Sequence, residues 1–280
     1  MNLSLNLRAG LVSIVLLVAF LGVWQLATQP KATSSPAYAN PEYAAMMGSA
    51  ATQAAGLPTP EAVGQTLMHQ LAHPFYDNGP NDKGIGIQLS WSLGRVLAGF
   101  LLAVIVAIPL GFVIGMSPLM FKALNPYIQL LKPISPLAWM PLALYTIKDA
   151  NAASIFVIFI CSIWPMMINT AHGVASVKKD WLNVAKTLEI SPLKTAIMVI
   201  LPAAAPTILT GMRISMGIAW LVIVAAEMLV GGTGIGYFVW NEWNNLSLSN
   251  VIFAIFMIGV VGMLLDSIFG ALTRFVTYQE

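Results

Sequence analysis

The sequence predicts an all-α, polytopic membrane protein with six transmembrane helices, and three observations carry that class. Of 280 residues, 58% are hydrophobic and only 9% charged, with a mean hydropathy of +0.80; soluble domains carry roughly a quarter charged residues. Six apolar runs reach the ~20 residues that a helix needs to cross ~30 Å of hydrocarbon. Between the fourth and fifth runs, KKDWLNVAKTLEISPLKTAIMVILPAAAP from Lys178 to Pro206 breaks the pattern with the lysines 178, 179, 186 and 194.

The first run, Gly10 to Ala27, is expected to be an N-terminal anchor. A cleaved signal peptide is the rival reading, because Ala37-Tyr38-Ala39 has the small-residue pattern of a processing site. That pattern lies too far beyond the apolar core, and the core is long for a leader, so the anchor is preferred. Residues 28–88 read as a linker rich in Ala, Pro, Gly and Ser as far as Pro60, then an amphipathic surface helix from Glu61 to Leu71. HPFYDNGPNDKGIG, His73 to Gly86, is dense in turn formers and reads as a fixed loop. His69 and His73 have a helical metal-ligand spacing, but Pro74 ends the turn and no third ligand clusters nearby, so no metal is expected. The expected domains are a transmembrane helix over 1–28, an external linker and surface segment over 29–90, and a core of five transmembrane helices over 91–280.

Those five spans are Val96 to Met116, Pro126 to Tyr145, Ala152 to Val174, Pro206 to Val230 and Val251 to Phe275. The second of them carries Pro133, Pro136 and Pro141, and in lipid the backbone groups that proline frees must find partners in protein or water. It reads either as the lining of a path or as a kinked structural helix. Charges inside spans are costly to desolvate and are functional candidates. Here two accounts stand side by side: structural pairs Arg95 with Glu227 and Arg213 with Asp266, or a positive vestibule of Lys132 and Arg213 that favours an anion. Around the membrane midplane the residues are neutral, with Trp139, Asn169 and Trp220 as further candidates for a translocation path.

Sidedness follows from basic residues outside the spans. Arg8, Lys122, Lys178, Lys179, Lys186, Lys194 and Arg274 fall on the side of the termini, against Lys31, Lys83 and Lys148 opposite. The positive-inside rule therefore places both termini in the cytoplasm of a multi-pass plasma-membrane protein. The polar segment is then cytoplasmic, and Leu182, Ala185 and Leu188 recur at helical spacing as an apolar face for a partner.

Several classes drop out. A net charge of +2 gives no footing for nucleic acid, and the single Cys161 lies inside an apolar run where it can form neither a disulfide nor a zinc site. No lysine follows a glycine, so there is no phosphate-binding Gly-Lys-Ser/Thr loop and no means of hydrolysing nucleotide. Gly231-Gly232-Thr233-Gly234-Ile235-Gly236 lacks the dinucleotide spacing and reads as an external turn. Neither an enzyme's residues nor a cofactor site is expected.

The polar segment resembles the EAA motif of ABC-importer permeases. Asn183-Val184-Ala185, then Glu189, Val199 and Leu201-Pro202 fall in register, with Asn183, Val184 and Glu189 standing where the family has Glu, Ala and Gly. Glutamate disfavours the left-handed turn that glycine permits, so the bend is expected to move to Ser191-Pro192. LPTPEAVGQTL, SLGRVLAGFLLAVIVAIPLGFVIG, LKPISPLAWMPLALY and AAEMLVGGTGIGYFVW extend the resemblance to the sulfonate, taurine and nitrate branch, and HPFYDNGPNDKGIG with VWNEWNNLSLSN is most like cyanobacterial nitrate permeases, then bicarbonate ones.

The resemblance implies a type I ABC-importer permease whose membrane pathway is built by two permease subunits, here a homodimer. Two ATPase subunits would grip the loop 178–206 at Lys178, Lys179, Leu182, Asn183, Val184, Ala185, Leu188, Glu189, Leu201 and Pro202. An external substrate-binding protein would dock on His73 to Gly86 and Tyr237 to Ser249. The implied cargo is nitrate, possible nitrite included, with bicarbonate the alternative and a gradient-driven anion carrier the reading from another class.

Overall fold

A computed structural model describes residues 5–28 and 57–276, and their regular structure is helical, with one isolated bridge between Asp77 and Lys83. The linker over 29–56, with the Ala37 to Ala39 pattern and Lys31, lies outside the described residues. Helix α1 (Leu5–Ala27) is apolar around its whole circumference and none of its hydrophobic window is buried in the protein. It is tied to the rest through α2 (Pro60–Ala72), where the Trp24 indole donates to the Pro58 carbonyl at 3.1 Å. Helix α2 starts as its sequence dictates, with Thr59 accepting from the Ala62 amide, Pro60 in the first turn and Glu61 at the positive helix end.

The bundle is built on α3 (Ile85–Met116), α6 (Ala150–Ala175) and α8 (Pro192–Val230), with α6 making the most extensive contacts to both others. Small residues recur on α3 every fourth position at Gly99, Ala103, Ala107, Gly111 and Gly115. That stripe brings backbones together: a methyl at Gly99 would meet Ile158 at 2.7 Å, one at Gly111 would meet Thr170 at 2.6 Å, and one at Gly115 the Ala171 carbonyl oxygen at 2.6 Å. Between lipid-embedded helices no hydrophobic effect drives association, so close packing of small residues supplies the attraction.

Helix α10 (Leu248–Val276) and the short α9 (Ile235–Asn244) complete the bundle against α8, and α2 lies against α10. Five helices are long and apolar enough to cross a membrane. The sixth crossing differs from the expected continuous span at Pro126 to Tyr145. It is split into α4 (Pro118–Leu131) and α5 (Pro136–Ile147). Pro126 and Pro141 are accommodated inside these helices, whereas the break falls at Pro133 and Pro136, where Ser135 turns extended and its hydroxyl caps the Leu137 amide. A residue before proline is pushed out of the helical region, and proline suits a first helical position, so Ser135-Pro136 starts a new helix.

Three other boundaries move. Helix α3 begins at Ile85 rather than Val96 or residue 91, and its 32 residues span ~48 Å. Helix α8 reaches back to Pro192 through a π-helical turn at Ala196–Ile200, so the polar interruption shrinks to residues 176–191. The segment Tyr237 to Ser249, expected as an external loop, is largely α9.

Gly111→Val should force α3 from α6 and lower the thermal midpoint of the solubilised protein by the equivalent of ~1–3 kcal/mol. Gly94→Ala, where nothing lies within 4 Å, should leave that midpoint unchanged or slightly raised, measured on the same detergent extract.

Candidate functional site

At the end of the bundle where α3 begins and α8 ends, a polar cluster is buried among apolar helices. Gln88, Ser92 and Arg95 lie on one face of α3 at helical spacing, and Glu227 of α8 faces them with 1% exposure. Arg95 Nη1 donates to Glu227 Oε1 and to the Thr233 carbonyl, both at 2.7 Å; Nε and Nη2 donate to Asn151 Oδ1 at 2.9 and 2.7 Å. The Ser92 hydroxyl lies 2.8 Å from Glu227 Oε2 and accepts from the Ile235 amide at 2.9 Å, while Gln88 Oε1 accepts from the Gly234 amide. Glu227 Oε2 also accepts from the Gly236 amide at 3.0 Å. The Arg95–Glu227 pair thus joins α3, α6, α8 and α9. The turn needs glycine for this approach, because a methyl on Gly234 would sit 2.2 Å from the Glu227 carboxyl carbon and one on Gly236 would strike the Val224 carbonyl at 2.1 Å. A cavity of about 200 Å³ opens beside Arg95, between Trp91, Asn151 and Gly231 to Thr233.

The adjoining loop is held by its own polar residues. Lys83 donates to Asp77 at 2.9 Å, holding that exposed carboxyl below its usual range, and burial pushes the neighbouring Tyr76 phenol up. Asn81 fastens the loop to α9, its side-chain oxygen accepting from the Tyr237 hydroxyl at 2.9 Å and its carbonyl from Asn241.

At the opposite end the polar segment forms α7 (Lys179–Thr187). The expected single apolar face of Leu182, Ala185 and Leu188 is divided between two directions. Ala185 is 2% exposed, and Leu182 packs on Val174, Ile200, Ala204 and Ile208 at the base of the spans. Trp181, Val184 and Leu188 face outward, 43%, 58% and 66% exposed, among the exposed Lys178, Lys179 and Asn183, and the Lys178 ammonium lies over the Trp181 ring. Leu201 and Pro202 are exposed nearby on α8.

The bend after α7 does not move to Ser191-Pro192. Glu189 itself takes the left-handed conformation, with φ of 53°. The Ile190 amide bonds the Ala185 carbonyl and the Glu189 amide the Lys186 carbonyl, which is the paired hydrogen bonding of a Schellman cap. Two backbone bonds and the seated Ala185 outweigh the ~1 kcal/mol that a side chain in this region costs.

The five path candidates have different surroundings in the single chain. Arg213 is held by Asp266 of α10 through two bonds, one of 2.6 Å. Trp220 is buried and donates to the Ile258 carbonyl at 2.9 Å; Asn169 donates to the Pro165 carbonyl within its own helix; Trp139 packs half-buried against the core. Lys132, at the α4/α5 break, lines a separate cavity of about 160 Å³ with Ile134, Pro136, Cys161, Trp164, Pro165 and Ile218. Sequence reasoning missed Gln88, Ser92 and Asn151, although three polar residues on one face of an apolar run were a readable signal.

Residues 93–278 match the family described as binding-protein-dependent transport system inner membrane components. The chain belongs to that family. It is therefore a multi-pass inner-membrane transport component, a subunit that moves cargo rather than an enzyme, and its family works with ATPase and substrate-binding partners. This membrane component is 45% identical over 228 residues to the nitrate import permease NrtB of a Synechocystis, covering 81% of this chain and 80% of that one. It is 48% identical over 197 residues to the bicarbonate transport system permease CmpB of the same organism, covering 70% of each. Its fold is shared with an inward-facing MetNI methionine ABC transporter structure, at a TM-score of 0.61 and 13% identity over 68% of this chain and 95% of that one.

Glu227→Met alone should strand the Arg95 charge and cost the membrane component ~3–5 kcal/mol, seen as loss of folded protein on size exclusion. Arg95→Met with Glu227→Met should be less damaging than either change alone, and a double-mutant cycle on thermal midpoints reads that coupling.

Proposed function

We propose that the chain is the transmembrane subunit of an ATP-driven importer of nitrate. The observation that carries this reading is the 45% identity to a nitrate import permease over four-fifths of both chains. Bicarbonate is the second reading, favoured by the 48% identity to a bicarbonate permease over a shorter stretch. Both are small planar monoanions.

The geometry supports a lever. The outward face of α7, Trp181, Val184 and Leu188 with Lys178, Lys179 and Asn183 around it, is where an ATPase subunit would grip. Ala185, Leu182 and the Glu189 cap would pass the movement into the base of α6 and α8. The α7 end is then cytoplasmic, as are both termini, in keeping with the excess of lysine and arginine on that side. The clip of Asn81 on α9 would receive an external binding protein at the other end.

A second copy of the chain is proposed as the partner in the membrane. The Arg213–Asp266 pair is about half exposed on α8 and α10, and two charges cannot face hydrocarbon cheaply, so that surface calls for another subunit or a water-lined path.

In proteoliposomes with the ATPase subunits, nitrate-loaded binding protein should stimulate ATP hydrolysis and bicarbonate-loaded protein should not; the reverse result would replace nitrate by bicarbonate. Val184→Asp or Leu188→Asp should release the ATPase subunits while the permease stays folded. Ala185→Asp should instead unseat α7 and destabilise the permease itself, by ~1–3 kcal/mol for a buried unpaired polar group. Copurification and thermal midpoint together separate the two outcomes.

A further inference from the structure

Three basic residues, Arg95, Lys132 and Arg213, lie within the membrane-spanning helices or at the break between α4 and α5, and the structure treats one of them differently. Arg95 is neutralised by Glu227 and Arg213 by Asp266. Among the described residues, no carboxylate lies within ion-pair distance of Lys132, and no carboxylate lines its cavity. The cavity lies alongside the spanning helices and not at their ends: Cys161 and Trp164 stand near the middle of Ala150–Ala175, and Ile218 lies twelve residues before the end of α8 at Val230. Lys132 is exposed in the single chain, and an ammonium set among apolar helices carries a cost that an anion, water or a neighbouring subunit relieves.

The geometry points to an anion-binding site at the broken crossing, formed by Lys132 over the cavity of Ile134, Cys161, Trp164 and Ile218, that takes one small inorganic monoanion at a time. The inference rests on the importer reading and names the step at which its cargo is held. Charge sets the valence: one unpaired cation balances one negative charge, and a dianion would leave an excess charge in a wall that is otherwise apolar. Volume allows a small ion: the cavity of about 160 Å³ has room for an anion of four heavy atoms together with water. The helix break explains why the lysine can be there at all, since the chain leaves helical geometry at Pro133 and resumes it at Pro136, opening a gap between α4 and α5 in place of a packed surface.

The single cysteine of the chain lines this cavity and reports on it. In proteoliposomes containing the permease with its ATPase subunits, Cys161 is modified by methyl methanethiosulfonate and the adduct followed by peptide mass spectrometry. Nitrate should slow modification and sulfate should not. Lys132→Met should abolish that protection and reduce uptake by about tenfold or more, the worth of one charge-assisted hydrogen bond, while ATP hydrolysis by the assembled complex persists. Lys132→Arg should keep both. Protection by bicarbonate but not nitrate would uphold the site and overturn the nitrate reading. Wild-type uptake by Lys132→Met, or a modification rate indifferent to every anion while nitrate uptake proceeds, would overturn the site and leave the nitrate reading standing.

Discussion

The Glu227 carboxylate is the point on which the bundle is organised. In hydrocarbon each polar group must be satisfied within the protein, and a carboxylate with 1% exposure is the most demanding of them. It is bonded by Ser92 and Arg95 of α3 and by the Gly236 amide of α9, and Arg95 carries the network on to Asn151 of α6 and the Thr233 carbonyl, so meeting its needs fixes how α3, α6, α8 and α9 sit at that end. The pair is not by itself a large source of stability, because desolvating two charges offsets much of their attraction. Its contribution is position: few arrangements of these helices satisfy Arg95, Ser92, Gln88 and Glu227 at once.

Along the length of the bundle a different rule applies. The stripe of Gly and Ala on α3 lets it lie close enough to α6 for backbone and side-chain contact, and Ser215 of α8 reaches the Ser162 carbonyl of α6 at 2.7 Å. One end is therefore held by polar groups, the shaft by shape, and the α7 end by the small apolar cluster under Leu182. A push on α7 meets tight helix packing above it, which transmits displacement rather than absorbing it.

Much of this was legible in the sequence because bilayer thickness and apolar run length are directly linked. The helical class, the first apolar helix, the helix before Leu71, the glycine turn at 231–234 and the pairs Arg95–Glu227 and Arg213–Asp266 could be read from residue type and spacing. What could not be read depended on neighbours. Prolines at 126, 133, 136 and 141 look alike in sequence, yet only the 133/136 pair breaks the helix, since two close prolines remove donors from successive turns. Glu189 keeps the bend that its chemistry disfavours because the Schellman bonds and the seat of Ala185 fix the backbone there. The division of Leu182 and Ala185 from Leu188 followed from which side of α7 met the spans, which spacing alone leaves open.

The π-helical turn at Ala196–Ile200, where the Leu201 amide reaches back to the Ala196 carbonyl, means that α8 accommodates one residue more than a regular helix of the same rise. Each residue in an α-helix corresponds to about 100° of rotation. The aim of the α7 platform about the bundle axis is thus encoded by a count of residues and not by any one identity. Deleting a single amino acid there would heal the winding and leave the platform close to its place, whereas a deletion in the regular helix beyond it would swing the platform round by more than a quarter turn, so in this stretch of the chain length is a stricter inheritance than spelling.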